Sequence, residues 1–446
     1  MTAKEEMWNH VLTKAPALKK LIDHYGDMSL WEYARKFYTY NGSISAQRKG
    51  EFLDYIGEYV HEHHGESIKQ KTLESLNMNY CISTADHHGP IWHPFFFQSA
   101  ILRGLTRPWE TIVNLCTSNV SLWNSSYPRW FVFHESNKKS YSGIPLFPAY
   151  ERMSSVIGHQ SFQEKDIKKC LSLIKQKEDQ WSLDEQKYST LYNWIQRVLL
   201  SKEMLRKETY SEQITMINSV LWDDIFWTTM PSFVSLDGEK VVSYILTRHL
   251  KKDFSVLKNM LTELSWQEEI EKYFDTLWCC FDRKKNKGTY LFWYRDAQGK
   301  RISLWRSNDT LTSNDKTVQI PLNTTAIING IDEWYLIPSG LLMYSTLACY
   351  YGVTCFGGFA QGTYLPQIFA AYSKIAEKSG ESASIQPDIL CEDIILALDK
   401  EGRIMTALDI LTANDRVDIE KLLQNAKNTT LQRSIELMLP EITRCL

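Results

Sequence analysis

The chain has 446 residues, of which 43% are hydrophobic, 13% aromatic and 23% charged. That length leaves room for a large core without disulfide or metal staples, and the composition excludes a disordered chain, a collagen-like repeat and a small disulfide scaffold. Fifty basic against 53 acidic residues give a net charge of −3, without the basic excess of a dedicated nucleic-acid binder, so no nucleic-acid partner is expected.

In chain order, the first 65 residues read as helices. Phe52, Tyr55, Ile56, Tyr59 and Val60 recur at helical spacing between Glu51 and His64, and Gly65 stops the run. The pattern then changes to short extended runs at Asn79–Thr84, Thr111–Cys116 and Trp130–Phe133, with a helix predicted from Phe95 to Leu105 between the first two. That β–α–β alternation points to a small mixed or parallel sheet near residues 79–135. From about Phe162 to Cys280 the spacing is helical again, including a capping box at Ser182 and Glu185. Tyr290–Arg295 and Lys300–Trp305 flank Asp296-Ala297-Gln298-Gly299, which predicts a β-hairpin near 290–305. The basic run Arg283-Lys284-Lys285-Asn286-Lys287 before it reads as a solvated turn.

From Trp334 to Ser373 no residue is charged, but Pro338, Gly340, Gly352, Gly357, Gly358, Gly362 and Pro366 interrupt the stretch. A buried helix followed by a Gly-rich loop is expected there, with no membrane partner. The fold class that results is α/β and predominantly helical. Its segments are an N-terminal helical one (1–78), a small α/β region carrying the site (79–150), a helical region (151–282) and a hairpin with a helical C-terminal region (283–446), which can close into one globular unit. Nine scattered cysteines without a C-x-x-C pair, and an N-terminus charged throughout, fit a cytoplasmic protein with reduced thiols.

The densest polar signal is Ser83-Thr84-Ala85-Asp86-His87-His88-Gly89-Pro90-Ile91-Trp92-His93, immediately after an expected strand. Loops at the carboxyl ends of strands gather the chemistry in open α/β sheets. Asp86, His87, His88 and His93 are the expected ligands of a divalent metal (Zn, Mn or Fe), or Asp86, His87 and His88 an acid–base group. The triplet Asp86-His87-His88 resembles the signature of the DHH phosphoesterases, which implies manganese held with further aspartates. The earlier Asp-rich motif of that family is missing before Asp86, so the chain is not assigned to it.

A second cluster, Thr117-Ser118-Asn119 and then Asn124-Ser125-Ser126-Tyr127-Pro128-Arg129, follows the second strand. Arg129 could clamp an anion in two-point fashion, with Asn124, Ser125 and Ser126 orienting it. His134 is either a further member or a half-buried strand residue. Gly352–Tyr364 matches neither a dinucleotide fingerprint nor a P-loop and reads as a tight connection between helices, with Gln361 and Tyr364 as pocket walls. Among the tryptophans, Trp92, Trp123 and Trp130 flank the polar clusters and are expected near a pocket.

These observations point to an enzyme acting on a small polar or anionic molecule through the Asp/His loop, with a divalent metal as an option. The alternatives are a metal-free acid–base transferase or lyase, and a non-catalytic binding or scaffold protein. Oligomeric state is not readable from the sequence.

Overall fold

The computed structural model describes residues 3–37, 44–134, 141–176, 185–378, 380, 391–413 and 417–445. In chain order the strands are β1 (Cys81–Ser83), β2 (Ile112–Cys116), β3 (Trp130–Phe133), β4 (Ser142–Pro145), β5 (Phe233–Asp237), β6 (Phe281–Asp282), β7 (Lys287–Gly288), β8 (Phe292–Arg295), β9 (Arg301–Ser307), β10 (Thr310–Ser313), β11 (Gln319–Pro321), β12 (Leu336–Pro338) and β13 (Thr354–Phe356). Helices dominate the rest, so the chain is a mostly helical α/β protein with small sheets.

The organising element is a four-stranded sheet in the order β13-β1-β2-β5, parallel throughout. Parallel strands are covered on both faces, and these separate two hydrophobic cores. Ile82, Val113, Leu115, Val234, Leu236 and Cys355 point into one core, with the helices Ala46–His64 and Gly238–Leu250. Cys81, Ile112, Phe233 and Phe356 point into the other, with the helices Pro94–Thr106 and Tyr210–Phe226 and both chain ends. The period-2 alternation of a strand produces this division. On the second face Asn114, Cys116, Ser235 and Asp237 follow the apolar residues of β2 and β5, so the sheet there turns polar towards its carboxyl end.

The β–α–β unit is present, β1 leading through Pro94–Thr106 to β2. The run Trp130–Phe133 is a strand but not a member of that sheet. It pairs antiparallel with β4, and the neighbours of β1 and β2 are β13 and β5, which the sequence reading placed in helical or loop segments. Both are buried five- and three-residue strands without polar alternation, which periodicity does not separate from buried helix. The parallel sheet thus draws strands from three of the four segments read from the sequence.

The predicted hairpin forms as β8 and β9, within a five-stranded antiparallel sheet ordered β11-β10-β9-β8-β12. Asp296 organises its turn by accepting from the backbone N–H groups of Gln298 and Lys300. Gly299 adopts φ +76°, and a Cβ there would stand 2.4 Å from the Gly158 carbonyl oxygen, so the turn requires glycine. The basic run before it forms the turn between β6 and β7.

Other expectations shift at their edges. The helix ending at His64 begins at Ala46, and the segment expected to be helical to Cys280 ends as helix at Phe274. Ser182 of the expected capping box lies outside the described residues. The uncharged stretch folds as the helix Gly340–Tyr344, a π-helical continuation Ser345–Tyr350 and the strand β13, and no described helix is long and apolar enough to cross a membrane. None of the eight cysteines with described side chains is in a disulfide.

Candidate functional site

All four parallel strands deliver their following loops to one cavity of about 420 Å³. Thr84, Ala85 and His87 come from β1, Thr117 and Asn119 from β2, Glu239 from the first turn after β5, and Gly358 to Gln361 from the segment after β13. This is the position at which open parallel sheets bind ligands. His93, Phe95 and Phe96, at the start of the helix after β1, form a second wall. The far side is aromatic and comes from the hairpin region: Trp278, Cys279, Trp293, Met343 and Tyr344. Ser125 and Ser126, Pro338, Gly340, Tyr364, Asp393 and Ile442 complete the lining.

The floor is held by a hydrogen-bonded relay. The Thr84 hydroxyl lies 2.9 Å from both the Phe356 carbonyl oxygen and Gln361 Oε1. Tyr344 donates to the same Oε1 at 2.9 Å, and its hydroxyl pairs with that of Tyr364 at 2.9 Å. Gln361 in turn donates from Nε2 to the Cys355 carbonyl. β1 and β13 are thereby tied together at the point where the cavity opens, and the two expected wall residues, Gln361 and Tyr364, stand in it.

Two carboxyl groups face the cavity. Glu239 is 1% exposed, and its oxygens accept from the Ser118 N–H at 2.8 Å, the Ser118 hydroxyl at 3.0 Å and the Asn119 N–H at 3.2 Å. Burial first, and the nearby Asp237 second, push its pKa up to about 8 despite those donors. Asp393 accepts from the Phe359 N–H at 2.7 Å, and burial pushes it up to about 6. Gly358 makes that approach possible, since a Cβ there would lie 2.9 Å from Asp393 Oδ2. Burial lowers His87 from the usual imidazole range, against the pull of its hydrogen bond with Asn124. Its Nδ1 is buried without a hydrogen-bond partner, as is Asn119 Oδ1.

The expected metal set divides. His87 and His93 face the cavity, whereas Asp86 and His88 turn into the polar face of the sheet. His88 has φ +51°, a left-handed backbone that swings its ring away from that of His87. His88 Nε2 lies 2.9 Å from the Ser211 carbonyl oxygen and 3.0 Å from its hydroxyl, which donates to Asp237 at 2.6 Å. Asp86 instead meets Cys116, whose thiol donates to Oδ2 at 3.1 Å and receives a bond from Asn114 Nδ2 at the same distance. Asp86, His88 and Cys116 each bring one ligand atom within 4.8 Å of the others, all three buried, a group that could hold a metal ion. Burial pushes Asp86 up to about 7 and the Cys116 thiol well above its ordinary range.

The second cluster divides as well. Ser125 and Ser126 line the cavity, and Asn124 holds Ser126 by accepting from its N–H at 3.0 Å and its hydroxyl at 2.7 Å. Arg129 does not reach the cavity lining. Its guanidinium donates to the Phe147 carbonyl at 2.8 Å and lies 4.7 Å from the Trp130 ring and 5.1 Å from Trp123. Trp123 and Trp130 border a more open cavity of about 670 Å³ that shares Ser125 with the first, and Trp92 is core. His134 pairs with Asp409 at 2.7 Å, away from the cavity.

Sequence reasoning missed Glu239, Asp393 and Cys116, and the walls Trp278 and Trp293. Asp237-Gly238-Glu239 directly after an apolar run carried a strand-end signal that could have exposed the first. Asp393 carried none, because its place follows from a single bridge between Gly357 and Cys391. No protein-family model matches the chain, and no curated protein is similar to it.

Proposed function

We propose that the chain is an enzyme that moves protons on a small polar molecule held in the cavity at the carboxyl end of the parallel sheet. One observation carries this reading: His87, with a buried Nδ1 that has no hydrogen-bond partner in the protein, and Glu239, a buried carboxyl, face the same partly aromatic cavity. A neutral imidazole is a base, and a carboxyl that keeps its proton near neutrality is an acid, the complementary pair that general acid–base catalysis requires. Asn124 orients the imidazole, the Ser118 and Asn119 N–H groups hold the carboxyl, and Phe95, Trp278 and Trp293 give the ligand apolar walls.

The test is an untargeted one. Wild-type protein is incubated with a small-molecule extract, and depletion and product formation are read by mass spectrometry beside folded His87→Ala and Glu239→Gln variants. A compound converted by the wild type alone is the expected result. Identical profiles from all three proteins would remove the reading.

A metal-dependent variant of the reading has its own support in Asp86, His88 and Cys116. A Cys/His/Asp donor set suits zinc, and the Ser211 carbonyl at His88 Nε2 is the kind of outer partner that fixes a ligating imidazole, whose Nδ1 is buried without a partner. Elemental analysis of untagged protein should then give near-stoichiometric metal that is lost in Cys116→Ser and His88→Ala. Metal-free protein after incubation with Zn, Mn and Fe would withdraw this variant and leave the acid–base reading standing.

A further inference from the structure

The charge and hydrogen-bonding balance of the cavity lining identifies the kind of head group it suits. The lining contains Glu239 and Asp393 and no lysine or arginine. Asn119 Oδ1 is a buried acceptor without a partner, in a residue 6% exposed, and His87 Nδ1 is likewise buried and unpartnered. Around them stand the faces and edges of Phe95, Phe96, Trp278, Trp293, Phe359 and Tyr364. Aromatic faces attract cations through their quadrupoles, most strongly where water is excluded. An anion would meet two carboxyls here and find no charged donor. A hydrogen-bond donor with positive charge satisfies the orphaned acceptor and the carboxyls together.

We infer that the cavity binds an organic cation whose head donates hydrogen bonds, an amidinium, guanidinium or protonated amine, with the head at Glu239 and Asn119 and the apolar body among the aromatic side chains. The inference rests on the reading of this cavity as the working site. Glu239 faces Asp237 and the Cys279 thiol, and it accepts from Ser118 and Asn119. Arg301 lies within electrostatic range, but its guanidinium donates to the Asn119 carbonyl and rests 4.8 Å from the Trp293 ring, outside the lining. Burial of Glu239 favours its protonated form, and an arriving cation supplies the missing counter-charge. Binding at neutral pH therefore expels a proton from Glu239 as the ion pair forms, and the protonated head group then takes over from Glu239 as the acid opposite His87.

Three probes of one shape separate the possibilities: benzamidine, benzamide and benzoate, titrated calorimetrically into the full chain at pH 7 in two buffers of different ionisation enthalpy. Benzamidine should bind about tenfold or more tightly than benzamide, with release of a fraction of a proton, and benzoate should not bind. Glu239→Gln should cost benzamidine about tenfold in affinity and leave benzamide unchanged. Because Glu239 also braces Ser118 and Asn119, Asn119→Leu serves as a second variant, with a loss of about threefold to tenfold. Benzoate or benzamide binding as tightly as benzamidine, no binding of any probe, or undiminished benzamidine binding in both variants would overturn the inference. Turnover of a neutral or anionic compound that is lost in His87→Ala would overturn the ligand class and keep the enzyme. Selective benzamidine binding beside unchanged profiles in the extract experiment would do the reverse.

Discussion

His87 and His88 are adjacent in the chain and live in different solvents. His87 faces a cavity large enough for a ligand, with one nitrogen left open, whereas His88 is fully buried against Ser211 on the polar face of the sheet. Asp86 follows His88 and not His87. A dense run of chemical residues at a strand end is therefore not one site. Backbone alternation, and the left-handed turn at His88, divide it between the wall of a cavity and a closed network against two strands and a helix.

The comparison predicts opposite mutational signatures. His88→Ala removes a fully buried ring and the partner of the Ser211 carbonyl, and should cost about 3–4 kcal/mol in denaturant unfolding. A cost near zero would mean that the closed network is not structural.

The next effect is one of pH. Glu239 and Asp393 bind their protons more tightly in the folded chain than ordinary carboxyls do. The stability they lend is complete below about pH 4 and is lost as pH rises, through about 6 for Asp393 and about 8 for Glu239. Between pH 6 and 9 the share of Glu239 is about 2–3 kcal/mol, so Tm should fall over that interval and fall less steeply in Glu239→Gln. Equal slopes in the two proteins would place the titration elsewhere.

Gly358→Ala comes third. Its Cβ would meet Asp393 Oδ2 and push the 391–397 segment from the cavity wall, at about 1–2 kcal/mol by chemical unfolding and with weaker ligand binding. The smallest effect on stability belongs to His87→Ala, within about 0.5–1 kcal/mol of wild type, and the same variant should reduce turnover by about 10²–10⁴. A large loss of stability there would erase the contrast with His88.

The sequence by itself determined the elements whose signal is local. The amphipathic helix ending at His64, the helix after β1, the hairpin around Gly299 and the polar density from Ser83 to His93 follow from spacing, turn chemistry and composition over a dozen residues or fewer. The presence of Gln361 and Tyr364 in the cavity wall also agrees with the sequence reading, although β13 in front of them was read as loop. Only the tertiary structure decided the rest. β5 and β13 are short and wholly buried, so they lack the alternation that marks a half-exposed strand, and their place beside β2 and β1 is a matter of pairing across more than a hundred residues. Glu239 and Asp393 come to hold their protons more tightly, and Arg129 comes to lie outside this cavity's lining, through burial and neighbours supplied by distant parts of the chain. Spacing reports which residues lie on one face of one element; solvent exposure and charge environment are properties of several elements packed together.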